Sequence, residues 1–158
     1  MRKTFAILGN TGALLSEVLQ VLMKQDFRLL LVSENEEKKL ALKKSLEQTE
    51  AVAEVEFTSC KRDGCWEADI IIITQLEKAS CSLLETIKEV ATQKIVLLIS
   101  EHEKQLRKPN FEQLLPHSKV VKVLLDLQNN RFSLFSKHYE AKTEVQERLL
   151  GAGFQRQL

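Results

Sequence analysis

From Phe5 to Leu22 an apolar run stops at a Gly-x-x-Gly turn, Gly9-Asn10-Thr11-Gly12, and resumes at once with helical spacing. Thr4 to Leu8 are short, apolar and partly β-branched or aromatic, as suits a strand buried on both faces. Leu14, Leu15, Val18, Leu19 and Leu22 recur three and four apart, which predicts a helix. A tight strand-to-helix turn of this kind makes an anion site. The first glycine reaches dihedrals closed to other residues, the second lets the backbone approach a ligand, and the helix start offers unpaired N–H groups with partial positive charge.

The turn therefore predicts a nucleotide-binding βα unit, with phosphate held from Gly9 through Asn10, Thr11 and Gly12 to Ala13. In the dinucleotide fingerprint a third glycine allows the helix to pack closely on the strand; here that place falls on Leu15. The alternative is that Gly9 and Gly12 serve only a tight turn in a parallel α/β fold. Both readings require alternating strands and helices downstream.

That alternation continues. Phe27 to Val32 reads as a second buried strand, followed by a cap at Ser33 or Asn35, carboxylates in the first turn, and a helix to about Gln48. Ala53, Val55 and Phe57 alternate with glutamates, which predicts a half-buried third strand near a sheet edge. Cys60 to Trp66 is a connection. Its two cysteines lack a second pair or a nearby histidine, so no metal site is expected. Four consecutive isoleucines, Ile70 to Ile73, predict a central parallel strand.

A helix over about Glu77 to Thr92 follows, with Leu83, Leu84, Ile87, Val90 and Ala91 inward and Cys81 as a packing residue; Lys94 to Ile99 is the fifth strand. Ser100 to His117 is irregular, with a short helix whose first turn carries Pro109. Lys119 to Leu125 and Arg131 to Phe135 are further strands separated by an Asn129-Asn130 turn. Lys137 to Leu150 is a helix with Ala141, Val145, Leu149 and Leu150 inward, capped by Gly151 or Gly153. Phe154 to Leu158 is left as a stub.

Short connections between alternating elements mean a mostly parallel sheet wrapped by helices. The expected fold is a three-layer α/β arrangement of about seven strands, order 3-2-1-4-5-6 plus an added edge strand, with the ligand crevice beside Gly9. A length of 158 residues with 44% hydrophobic content fits one domain over residues 1–158. The 23 basic and 22 acidic residues are interspersed, which disfavours nucleic acid or an anionic membrane as partner. No apolar run reaches membrane-spanning length, and the opening residues lack a signal-peptide pattern. Three cysteines, an odd number, suit reduced thiols, so a cytoplasmic location is expected.

Taken together, these elements resemble the NADP oxidoreductases dependent on coenzyme F420, a Rossmann branch close to the N-terminal domains of pyrroline-carboxylate reductases. The likeness is carried by Ile7-Leu-Gly-Asn-Thr-Gly12, by Leu31 to Glu36, and by Ala68-Asp69 with the isoleucines. Leu115-Pro-His-Ser-Lys-Val-Val-Lys122 and the helix from Glu140 to a Gly153-Phe154 exit add to it. The resemblance implies NAD or NADP across the strand ends: pyrophosphate at Gly9 to Ala13, ribose near Ser33 and Glu34, and Thr74 and Gln75 as contacts at the fourth strand's exit.

Departures from the family pattern fall at ligand-facing places. Leu15 replaces a glycine, Glu34 stands where NADP-using relatives often have arginine, and Gln75-Leu76 replaces a Val-Pro turn. Val123-Leu-Leu-Asp126 stands for Ala-Phe-Asn-Thr, so Leu125 replaces a polar asparagine near the hydride-transfer region. Relatives also continue past the position of Leu158 into a segment that helps enclose the deazaflavin.

These departures make F420 or flavin an unexpected acceptor and imply a degenerate or incomplete acceptor site. Glu34 either favours NAD(H) over NADP(H), since a carboxylate accepts from a ribose 2′-hydroxyl and repels a 2′-phosphate, or is simply an exposed glutamate at a helix start. No catalytic residue is identified: His102, His117 and His138 read as surface histidines. The competing reading is a nucleotide-sensing or interaction domain without chemistry. A homodimer, whose second chain completes the pocket, stays open.

Overall fold

The computed structural model describes residues 2–9, 13–48, 50–74, 76, 80–107 and 110–157. Their order is β1 (Thr4–Leu8), α1 (Ala13–Met23), β2 (Arg28–Val32), α2 (Glu36–Glu47), β3 (Glu54–Thr58), α3 (Lys61–Glu67), β4 (Ile70–Ile73) and α4 (Ser80–Ile87). Then follow β5 (Ile95–Ser100), α5 (Glu103–Arg107), α6 (Phe111–Leu114), β6 (Lys119–Asp126), β7 (Arg131–Phe135), α7 (Tyr139–Gly151) and β8 (Gln155–Arg156).

One sheet runs β3-β2-β1-β4-β5-β6-β7-β8. Every described pairing is parallel except β6 with β7, which a turn at 127–130 joins antiparallel. The expected order holds, and Arg131 to Phe135 lies beyond the sixth strand as expected. The difference is an eighth strand. Residues 155 and 156, read from sequence as part of a stub, pair with Arg131 and Phe132.

The alternation of side chains across the sheet makes two cores. Phe5 and Ile7 point into one, with Leu15, Val18, Leu19 and Leu22 of α1 and Ala141 and Val145 of α7; Ala6 and Leu8 point into the other, with Leu84 and Ile87 of α4 and Phe111 of α6. All five residues of β1 and all four of β4 are buried, as strands covered on both faces must be. Helices thus cover both faces of the sheet, giving the three-layer α/β Rossmann arrangement.

Several local expectations change. The connection after Cys60 is a helix, α3, with Gly64 and Cys65 buried. Cys81 is exposed instead of packed. Leu150 is 47% exposed, because α7 turns only its Ala141 and Val145 fully inward. The helix near Pro109 begins at Phe111 under an Asn110 cap, while Pro109 itself lies outside the described residues. Asn35, and not Ser33, caps α2: its side-chain oxygen accepts from the Lys38 N–H at 3.1 Å. Gly153 takes the left-handed position after α7 with φ +98°, and the Phe154 and Gly153 N–H groups donate to the Leu149 and Leu150 carbonyls.

Candidate functional site

In an open α/β sheet the ligand crevice lies beyond the carboxyl ends of the strands, where successive connections leave in opposite directions. Here that point falls between β1 and β4, which pair in parallel from Phe5 with Ile70 to Leu8 with Ile73. One residue past each strand stand Gly9 and Thr74. The Thr74 N–H donates to the Leu8 carbonyl at 3.0 Å, extending the ladder to the rim. A Cβ on Gly9 would lie 2.0 Å from Thr74 Oγ1 and 3.3 Å from Thr74 Cβ. Gly9 thus lies close against the Thr74 side chain at the β4 exit, and any larger residue there would force Thr74 to move.

Ser33 and Glu34 leave the end of β2 on the same rim. The Ser33 N–H donates to the Thr58 carbonyl at 3.0 Å, and its hydroxyl donates to the Asn35 carbonyl at 3.3 Å. Glu34 is exposed and sits 3.6 Å from the Lys61 ammonium at the start of α3. Ala13 opens α1 and is exposed. The fold thus brings Gly9, Ala13, Ser33, Glu34 and Thr74 to one edge of the sheet. Asn10, Thr11, Gly12 and Gln75 lie outside the described residues.

Leu15, at the place of the fingerprint's third glycine, is 5% exposed and packs in the core between α1 and the sheet. It does not point outward. Helix and sheet meet here through a leucine side chain, so the first turn of α1 rests on an apolar contact and not on the close backbone approach a glycine permits.

Further along the same edge, the ends of β5 and β6 form a second recess of about 480 Å³ that sequence reasoning missed. Glu101, His102 and Glu103 line one side; Leu125, Asp126 and Gln128 line the other, with Gln157 brought in by β8. A hydrogen bond from the Asn129 side-chain amide, joined by one from its backbone N–H, lowers the pKa of the Asp126 carboxyl. Gln157 comes from the tail, so no local signal could have placed it here. Leu125 is buried and gives the recess an apolar wall where the resemblance implies an asparagine.

The three histidines lie at the surface, as read from sequence. Among the described residues, no group of three histidine, cysteine, aspartate or glutamate side chains is arranged to hold a metal. Among the same residues, no helix is long and apolar enough to cross a membrane.

No protein-family model matches the chain. No curated protein matches it either. Solved structures do. A diketoreductase superposes with a TM-score of 0.73 at 12% identity, over 98% of this chain and 63% of its own. A pyrroline-5-carboxylate reductase from Coxiella burnetii gives 0.70 at 14% identity, over 99% of this chain and 58% of its own. A candidate F420-dependent NADP reductase from Arthrobacter sp. FB24 gives 0.68 at 14% identity, over 100% of this chain and 84% of its own. The chain spans less than two thirds of the length of the first two. At these identities the likeness is one of fold, and the fold is Rossmann-like.

Proposed function

We propose that the chain binds NAD or NADP across the carboxyl ends of β1, β2 and β4 and is an oxidoreductase-like domain. The observation that carries this reading is the coincidence of Gly9 and Thr74 with the reversal point of the sheet. Pyrophosphate would rest on the segment from Gly9 through Asn10, Thr11 and Gly12 to Ala13, at the start of an 11-residue helix. The adenosine ribose would lie by Ser33 and Glu34, and Thr74 and Gln75 would border the nicotinamide half. The structural neighbours described as reductases, one of them acting on dicarbonyl compounds, support this assignment by analogy of fold.

The nicotinamide supplies hydride chemistry when bound; the chain supplies position and exclusion of water. On the acceptor side the recess between β5 and β6 offers carboxylates, His102 and an apolar wall at Leu125. That wall favours a degenerate acceptor site. It also supports a second reading, a nucleotide-sensing or interaction domain, in which the dinucleotide binds and no reaction follows. Native mass spectrometry of freshly purified protein tests the shared step. A mass increment equal to NAD(H) or NADP(H) is expected, and no increment even after incubation with a large excess of each would overturn the proposal.

A further inference from the structure

Glu34 alone predicts rejection of a 2′-phosphate, yet the fold sets a cation against it. Lys61 opens α3, and α3 is seated directly on the ends of β2 and β3. Gly64 makes that contact possible: a Cβ there would lie 2.9 Å from Val32 Cγ2 and 3.3 Å from Thr58 Cγ2. Residues three apart share a helix face, so Lys61 projects from the side of α3 that Gly64 presses onto the strands. Its side chain is only 34% exposed and its ammonium lies 3.6 Å from the Glu34 carboxylate. Both ends of this pair are anchored. The Ser33 N–H is tied to the Thr58 carbonyl, and the Cys60 N–H donates to Thr58 Oγ1 at 3.3 Å, fixing the residues before Glu34 and Lys61.

Resting on the dinucleotide reading above, we infer that Lys61 determines specificity at the ribose 2′ position, neutralising Glu34 and exchanging it for a 2′-phosphate when NADP(H) binds. Glu34 is 66% exposed, and an ion pair at such a site holds weakly. A phosphate monoester carries up to two charges and three acceptor oxygens, so it outcompetes one carboxylate for the ammonium. With NAD(H), the pair stays closed while Glu34 accepts from the 2′-hydroxyl. The subsite then accepts both dinucleotides instead of excluding NADP(H).

Calorimetric titration of the full chain with NADH and NADPH tests this, with AMP and adenosine 2′,5′-bisphosphate as probes of the ribose end alone. Lys61→Gln is expected to weaken NADPH and the bisphosphate about tenfold more than NADH and AMP, the loss of one charge-assisted contact. Glu34→Gln, at an exposed position whose change leaves the fold intact, should strengthen NADPH relative to NADH. If both dinucleotides bind the unaltered chain and Lys61→Gln weakens them equally or not at all, the role given to Lys61 is wrong and the dinucleotide site stands. If neither binds the unaltered chain, the dinucleotide reading fails and this inference falls with it.

Discussion

Alanine at Gly9 is the sharpest perturbation of the crevice. Its Cβ would arrive 2.0 Å from Thr74 Oγ1, a distance at which something must move. Threonine is stiff about χ1, and the Thr74 backbone is pinned by its hydrogen bond to Leu8, so relief requires a rotamer change or a shift of the β4 exit. Overpacking of this kind costs roughly 1–3 kcal/mol. For a chain of this size, about 2 kcal/mol corresponds to a fall in Tm of roughly 4–8 °C. Thr74→Ala removes Oγ1 and leaves the Cβ contact at 3.3 Å, tight but within reach of small adjustments. Gly9→Ala should therefore cost much less in the Thr74→Ala background, giving a coupling energy of about 1–2 kcal/mol in a double-mutant cycle. Urea denaturation of the four proteins measures it. Additivity within about 0.5 kcal/mol would refute the claim that Thr74 is what Gly9 accommodates.

Other expectations follow from the same structure. Leu15→Gly, which restores the fingerprint glycine, should destabilise the chain by at least about 2–5 kcal/mol, because Leu15 is core; an unchanged urea midpoint would contradict that placement. Burial pushes the Cys65 thiol up to about 12 from an ordinary 9.0, so above pH 9 the unfolded chain loses a proton that the folded chain keeps. Stability should then fall as pH rises from about 9 toward 12, by up to ~1.4 kcal/mol per pH unit from this group, and Cys65→Ala should flatten the decline. Lys94, whose ammonium donates to the Cys65 and Trp66 carbonyls, works in the opposite sense, since burial lowers its pKa and stability from it rises with pH toward 10.5. Turnover of NAD(P)H with flavin or deazaflavin acceptors, followed by absorbance of the reduced nicotinamide, should stay at background if the recess walled by Leu125 is the acceptor side proposed above; robust turnover independent of protein concentration would show a complete site in one chain.

Much of the fold was legible because burial on both faces writes itself plainly. The isoleucines of β4 and the run from Thr4 to Leu8 have no polar face to hide, and their place in mid-sheet follows. Helix α3 was not legible. It spans seven residues, buries only Gly64 and Cys65, and carries a glycine in its interior, which argues against a helix by propensity. The reason for that glycine, close packing on Val32 and Thr58, is tertiary. Missing α3 also hid Lys61, so Glu34 looked like a lone carboxylate. Strand β8 gives no side-chain signal either: it is two polar residues held by backbone bonds, Gln155 N–H to the Asn130 carbonyl and Gln157 N–H to the Phe132 carbonyl, both at 2.8 Å. The rim residues Gly9, Ser33, Glu34 and Thr74 were readable because each follows a strand end, whereas the β5–β6 recess depends on register and on a tail residue, Gln157.

The proposed dinucleotide site runs across the ends of β1, β2 and β4. Amide chemical-shift mapping of the isotope-labelled chain during titration with NADH reads that location directly. The largest shifts should fall at Gly9, Ala13, Ser33, Glu34 and Thr74, with little change at the opposite ends of the strands, at Arg28 and Ile95. Saturable binding whose shifts cluster away from Gly9 and Thr74, or no saturable shifts at all, would contradict it.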